Sequence, residues 1–200
     1  RLFLNEDGQF RFAENALPEF LSSGGCVKAA DFDRDGDLDI FVGGRVEPQT
    51  YPKPVSSYIL RNDTENGEVR FTLAEDAAPG LEEIGLVCEA LWTDFDNDNW
   101  MDLVVVGEWM PLQFFKNENG KLSRQTTKLD KLKGFWNSVL GADFDKDGDI
   151  DYIAGNLGLN TLNKPTKEQP VSIYAKDFDG NEGYDAVPTA YFPNRQGEEQ

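Results

Sequence analysis

Asp31-Phe-Asp-Arg-Asp-Gly-Asp-Leu-Asp39 runs directly into Ile40-Phe-Val-Gly-Gly44. Carboxylates take alternate positions in the first run. A short β-branched and aromatic run closed by glycine follows, which is the composition of a strand. The pattern returns three times and aligns without gaps, as Asp94-Phe-Asp-Asn-Asp-Asn-Trp-Met-Asp102, Asp143-Phe-Asp-Lys-Asp-Gly-Asp-Ile-Asp151 and Asp177-Phe-Asp-Gly-Asn-Glu-Gly-Tyr-Asp185. Asp holds positions 1, 3 and 9 in all four and Phe holds position 2; position 5 is Asp in three and Asn181 in the last. A repeat of this kind fixes the architecture before any other feature.

The first three clusters begin 63 and 49 residues apart, and the fourth follows after 34. Spacings near fifty fit one four-stranded propeller blade per unit, and the shorter last step allows the fourth cluster a different place in its unit. Leu103-Val-Val-Val-Gly107 and Tyr152-Ile-Ala-Gly155 follow their clusters as strands, and Cys26–Ala30 and Ser138–Ala142 precede theirs. Tyr58–Asn62, Val69–Leu73, Leu112–Asn117 and Lys121–Ser123 complete the set, with Asn66-Gly67 and Asn119-Gly120 as hairpin turns. Each unit reads strand, Asp loop, strand, strand, hairpin, strand. The expected fold is all-β: four-stranded antiparallel blades, three to four of them, forming a partial or open propeller. The approximate units are 26–85, 86–136 and 137–200, with 1–25 as the end of a preceding blade. The chain opens on Arg1-Leu2-Phe3-Leu4 as if in mid-strand and closes on the polar Arg195–Gln200, so it reads as a fragment of something longer.

The 37 acidic residues outnumber 19 basic ones for a net charge of −18. That balance argues against nucleic acid and anionic membrane as partners, since phosphate binding is driven by Lys and Arg. The acids sit in spaced clusters beside apolar runs, unlike the blocks of an acidic tail. No apolar stretch approaches the ~18 residues of a membrane helix. Absence of histidine removes Ser-His-Asp and Cys-His catalysis, and two cysteines leave little for zinc. Cys26 and Cys88 each lie shortly before an Asp cluster, in places expected to be related; they read as buried thiols, with a disulfide as the alternative.

Calcium takes six to eight oxygens at ~2.3–2.6 Å in forgiving geometry. A tight loop with Asp at positions 1, 3, 5 and 9 converges carboxylates on one point, and the carbonyl at position 7 adds a ligand. The expected ligands are Asp31, Asp33, Asp35, Asp37 and Asp39; Asp94, Asp96, Asp98, Trp100 and Asp102; Asp143, Asp145, Asp147, Asp149 and Asp151; and Asp177, Asp179, Asn181, Gly183 and Asp185. Gly36 and Gly148 at position 6 permit the sharp turn, and Asn99 tolerates the same backbone region. Without a cation such carboxylates would repel or take up protons. Three calcium sites are expected, with the fourth loop, altered by Asn181 and Glu182, as a further one. Magnesium suits the loops less, because it demands octahedral geometry and keeps its waters. An EF-hand is disfavoured, since position 12 is Val42, Val105 or Ala154 inside a strand. The remaining alternative is an Asp-rich turn that holds no metal.

Asp-Phe-Asp-x-Asp-Gly-Asp-Leu/Ile-Asp followed by an apolar strand resembles the FG-GAP/VCBS repeats of integrin-α-like β-propellers. Leu2-Phe-Leu-Asn5 and Phe114-Phe-Lys-Asn117 resemble that family's outer strand. The group most resembled is the bacterial cartilage-acidic-protein-like proteins that carry ASPIC/UnbV domains. The resemblance implies a propeller of about seven blades, calcium between the first two strands of each blade, and an extracytoplasmic location, whether secreted, periplasmic or cell-surface.

Three functions are weighed. The leading one is a binding or adhesion scaffold with structural calcium, meeting a protein or glycan through propeller loops. The alternative is a calcium-dependent enzyme domain acting on extracellular polysaccharide, for which Glu108 with Glu89 is a conceivable acid/base pair. A buffer or sensor is opposed by rigid strands around each loop. Trp92, Trp100, Trp109 and Trp136 read as inter-blade filling or as a sugar platform. The Phe at position 2 (Phe32, Phe95, Phe144, Phe178) reads as a core anchor, and Glu47–Pro54 as a surface loop or a partner contact.

Overall fold

The computed structural model describes residues 1–19 and 23–192, so the polar end Arg195–Gln200 lies outside the described residues. A hairpin of β1 (Phe3–Glu6) and β2 (Gln9–Phe12) comes first. Two four-stranded antiparallel sheets follow, each in simple sequential order. The first is β3 (Ser23–Ala30), β4 (Asp39–Val46), β5 (Tyr58–Asn62) and β6 (Phe71–Leu73). The second is β7 (Leu86–Thr93), β8 (Asp102–Met110), β9 (Gln113–Asn117) and β10 (Leu122–Gln125). A third unit begins with β11 (Gly134–Ala142) and β12 (Asp151–Asn156), and β11 also pairs with the end of β8 through Gly134–Met110 and Phe135–Glu108. The hairpin β13 (Ser172–Lys176) and β14 (Asp185–Thr189) carries the fourth Asp loop. That loop joins two adjacent antiparallel strands as the other three do. The shorter spacing before it reflects a third unit with only two strands among the described residues.

The run Leu103-Val-Val-Val106 explains how the units stack. All four side chains are fully buried, and strand alternation sends them to opposite faces. Leu103 and Val105 join Phe32, Phe41, Trp92 and Phe115 in a core between the first and second sheets. Val104 and Val106 join Leu112 and Phe114, and meet Val139, Tyr152 and Ala154 of the third unit. A fully buried Val or Leu contributes about 1.5–3 kcal/mol, so one strand stabilises two interfaces. Continuous apolar composition is what a strand covered on both faces requires.

In the first strand of each unit the register slips across Gly25, Cys88 and Asn137, each six residues before its Asp loop, and β3 and β11 slip again between Ser23 and Gly24 and between Gly134 and Phe135. Such bulges add twist. Cys88 occupies the bulge while Cys26 sits one residue beyond the equivalent place, so the two cysteines are not repeat-equivalent. Both are free thiols, half-buried. Burial pushes Cys26 up to about 11 and raises Cys88 as well.

The segment 47–54 is a strap. The Tyr51 hydroxyl accepts from Trp109 Nε1 at 2.8 Å and donates to Glu108 Oε2 at 3.0 Å, and Arg45 ion-pairs with the same glutamate. At its far side the Gln49 carbonyl accepts from the Tyr184 N–H at 3.1 Å.

Candidate metal centres

The four Asp loops share one backbone fold, and the sequence pattern states why. Position 4 is left-handed in each, at Arg34 (φ 63), Asn97 (φ 58), Lys146 (φ 65) and Gly180 (φ 77). Position 6 is left-handed too, at Gly36 (φ 98), Asn99 (φ 67), Gly148 (φ 98) and Glu182 (φ 66). Glycine takes that region without steric cost and Asn at little cost, whereas Glu182 has neither excuse.

The carboxylates then organise the turn. The position 1 side chain accepts from the position 6 N–H: Asp31 from Gly36 at 3.2 Å, Asp94 from Asn99 at 2.8 Å, Asp143 from Gly148 at 3.2 Å and Asp177 from Glu182 at 2.9 Å. Position 5 accepts from the position 7 N–H: Asp35 from Asp37, Asp98 from Trp100, Asp147 from Asp149 and Asn181 from Gly183. Position 9 accepts from the N–H of the Phe at position 2 in every loop, through Asp39, Asp102, Asp151 and Asp185.

Four triads result: Asp31, Asp33 and Asp39; Asp94, Asp96 and Asp102; Asp143, Asp145 and Asp151; Asp177, Asp179 and Asp185. In each, one oxygen per residue lies within 4.8 Å of the others. Two ligands on opposite sides of one ion at ~2.4 Å would be about that far apart, so each triad can hold a metal ion. Asp31 Oδ1 is buried with no hydrogen-bond partner, and an unpartnered carboxylate oxygen in an all-oxygen donor set fits a hard cation. Positions 5 and 7 lie outside these carboxylate triads, and Asp35, Asp98, Asp147 and Asn181 at position 5 each also brace the turn.

The loops differ in their surroundings. Asp39 and Asp102 are fully buried, and each meets a third strand. Asp39 Oδ1 accepts from the Asn62 N–H at 2.8 Å, and Asp102 Oδ1 from the Asn117 N–H at 2.7 Å. Burial pushes both carboxyls up to about 6. Burial, then the neighbouring Asp35, also raises Asp33. The third triad is exposed throughout, although its sequence is nearly that of the first. The position 2 Phe follows the same division. Phe32 is buried against Trp92 and Phe95 meets Phe114 edge-on, whereas Phe144 and Phe178 stay half exposed for want of a covering sheet.

Neighbouring loops are tied together. The Arg34 guanidinium donates to the Asn99 carbonyl and lies 4.1 Å from the Trp100 ring centre. Asn97 Nδ2 donates to Asp149 Oδ1 at 2.8 Å. Asn117 Nδ2 donates to the Phe32 carbonyl at 2.7 Å and the Met101 carbonyl at 2.9 Å. Lys116 ion-pairs with Asp96 and lies 3.2 Å from Asp98; the Trp100 N–H, and after it Lys116, hold Asp98 below the usual carboxylate range. Sequence reasoning passed over Asn62, Asn117 and Lys116. Their signal was the basic-Asn pair that closes the third strand of both complete sheets, Arg61-Asn62 and Lys116-Asn117.

A sequence-family model described as an FG-GAP-like repeat matches residues 1–42 and 94–154. The chain belongs to the FG-GAP-like repeat family. Cartilage acidic protein 1 of Mus musculus is 33% identical over 129 residues, which is 60% of this chain and 19% of that protein. The Homo sapiens protein of the same name is 34% identical over 129 residues, with the same coverage. That of Xenopus tropicalis is 32% identical over 136 residues, again 60% of this chain and 19% of the relative. The chain thus spans about a fifth of the length of these curated relatives. Among the described residues, no helix is long and apolar enough to cross a membrane. The four tryptophans of this FG-GAP-like chain occupy separate places: Trp92 and Trp136 lie in the two inter-sheet cores, Trp100 lies beneath Arg34, and Trp109 meets Phe135 edge-on.

Proposed function

We propose that this chain is a calcium-stabilised propeller segment that serves as a binding or adhesion scaffold outside the cytoplasm. The observation that carries the reading is the fourfold Asp triad, with one buried, unpartnered oxygen in the first. Asp31, Asp33 and Asp39, and their counterparts in the other loops, would hold the ion. Its charge would offset carboxylates that the strands on either side keep from spreading apart. Sites of extracellular modules bind calcium at ~10⁻⁴–10⁻³ M, so they fill outside a cell and stay largely empty in cytosol. The calcium is structural in this reading, and a protein or glycan partner is met by loops that the ions hold in place.

Further blades belong to the same proposal. Ile153 stands two residues after its loop, as Phe41 and Val104 do, yet those two are buried against the next sheet and Ile153 is 57% exposed. With Leu140 and Phe144 it forms the face that a following blade would cover. A non-enzymatic role is favoured because the two candidate acids are engaged elsewhere: Glu89 with Lys28 at 3.0 Å, and Glu108 with Arg45 and Tyr51.

Thermal unfolding in EGTA, in millimolar Ca²⁺ and in millimolar Mg²⁺ tests the reading. A ligand at about 100 times its Kd stabilises by ~2.7 kcal/mol per site. The expected result is a midpoint several degrees higher in calcium and little changed in magnesium. Equal midpoints in all three would remove the calcium sites.

A further inference from the structure

We infer that Lys116 is a tethered cation that competes with calcium at the second loop and makes that loop the weaker of the two buried sites. This rests on the reading of the Asp loops as calcium sites. Lys116 is the penultimate residue of β9, set between Phe115 and Asn117, both fully buried. Its position is therefore fixed by the sheet, and only its side chain can move. The ammonium pairs with the Asp96 carboxylate and lies 3.2 Å from Asp98 Oδ2, so it engages positions 3 and 5 of the loop together.

The first loop has no such occupant. Its equivalent residue is Arg61, the penultimate residue of β5, which pairs with Asp63 at 2.8 Å and stays near Asp33 and Asp35 without an ion pair to either. Among the described residues, neither Asp33 nor Asp35 is ion-paired. Two loops that share the acceptor bonds of positions 1, 5 and 9 and a buried Asp at position 9 thus differ in whether an ammonium engages positions 3 and 5. An ammonium offers one charge and three N–H donors to carboxylate oxygens. A calcium ion at the second loop must displace it or sit beside it against repulsion, and affinity falls in either case. In return, the second loop keeps its carboxylates partly neutralised when calcium is scarce.

The test is a calcium titration of the folded full-length chain followed by backbone amide NMR. The N–H groups of Asn99 and Trp100 report the second loop, and those of Gly36 and Asp37 report the first. In the wild type, the first loop should respond at lower calcium. Lys116→Met keeps the methylene stem and removes the charge. It should move the second loop's midpoint to roughly tenfold lower calcium, the effect of a unit charge about 6 Å from a divalent ion at a water-like dielectric. The first loop's midpoint should hold to within about a factor of two. Lys116→Arg keeps the charge and should leave the second loop near wild type, which also serves if the methionine variant folds poorly. An unchanged or higher midpoint in Lys116→Met, or an Arg variant that gains affinity, overturns the inference while calcium binding stands. Amides of both loops that ignore calcium in every variant would instead remove the calcium reading and this inference with it.

Discussion

Asn117 Nδ2 lies 2.7 Å from the carbonyl oxygen of Phe32, in the Asp loop of the neighbouring sheet. The same amide group donates to Met101 in its own sheet's loop, and its Oδ1 accepts from Gly120 at 2.9 Å. The backbone N–H of Asn117 goes to Asp102. One fully buried residue therefore fixes two candidate metal loops and a hairpin turn.

Replacing Asn117 by Ala takes the side-chain donor from the buried Phe32 carbonyl and from the half-buried Met101 carbonyl. The expected loss is about 2–4 kcal/mol, at ~1–3 kcal/mol per unsatisfied group. Asn62→Ala should cost less, about 1 kcal/mol, because the contact of Asn62 Nδ2 with the Leu38 carbonyl is exposed and 3.2 Å long. Urea midpoints of the two variants at constant m-value check the order.

Positions 9 and 5 should separate folding from metal binding. Asp102→Ala strips the acceptor from the Phe95 and Asn117 N–H groups. It should destabilise the metal-free chain by about 2–4 kcal/mol. Asp35 is exposed and, among the described residues, its side chain accepts only from Asp37. Asp35→Ala should change metal-free stability by less than about 0.5 kcal/mol while reducing the gain in midpoint on adding calcium. Unfolding of each variant with and without calcium decides.

Much of this was legible in the residues and some was not. The Asp pattern announced the loops, because carboxylates at alternate positions with Gly or Asn at the left-handed turn serve little else. Tyr58–Asn62 was read with its final bounds, and Asn66-Gly67 and Asn119-Gly120 adopt the paired positive φ of hairpin turns. The bulges stayed hidden, since Gly25, Cys88 and Asn137 share no chemistry. The first and third loops looked alike, yet only the first gains a third strand at its position 9 Asp. Burial of that kind depends on partners far along the chain. The reach of Lys116 was hidden for the same reason, because it depends on how β9 lies against β8.

Without metal, stability should fall as pH rises. Asp39 and Asp102 are pushed up to about 6 in the folded chain, against ~3.9 in the unfolded one. Between these values the folded state holds protons that the unfolded state has released, so it loses stability with increasing pH. Rigorously metal-free protein should melt higher near about pH 5 than near about pH 7.5. Saturating calcium should reverse the order, because a bound cation favours the ionised carboxylates. A metal-free midpoint that climbs over this range would contradict the burial of the two acids.

Gly120 closes the turn after β9 at φ +77, and a Cβ there would stand 3.0 Å from the Cβ of Asp33. Gly120→Ala therefore meets both backbone strain and crowding against the first loop. A loss of about 1–2 kcal/mol is expected, together with weaker calcium binding at the first loop and little change at the second. Amide shifts of Gly36 during a calcium titration give the comparison.

The reach from Phe32 to Asn117 spans 85 residues. A ribosome adding about 5–20 residues each second would release the first Asp loop seconds before the asparagine that anchors it. The first loop is therefore finished by the sheet made after it, and a nascent chain of intermediate length carries that loop's carboxylates without their keeper.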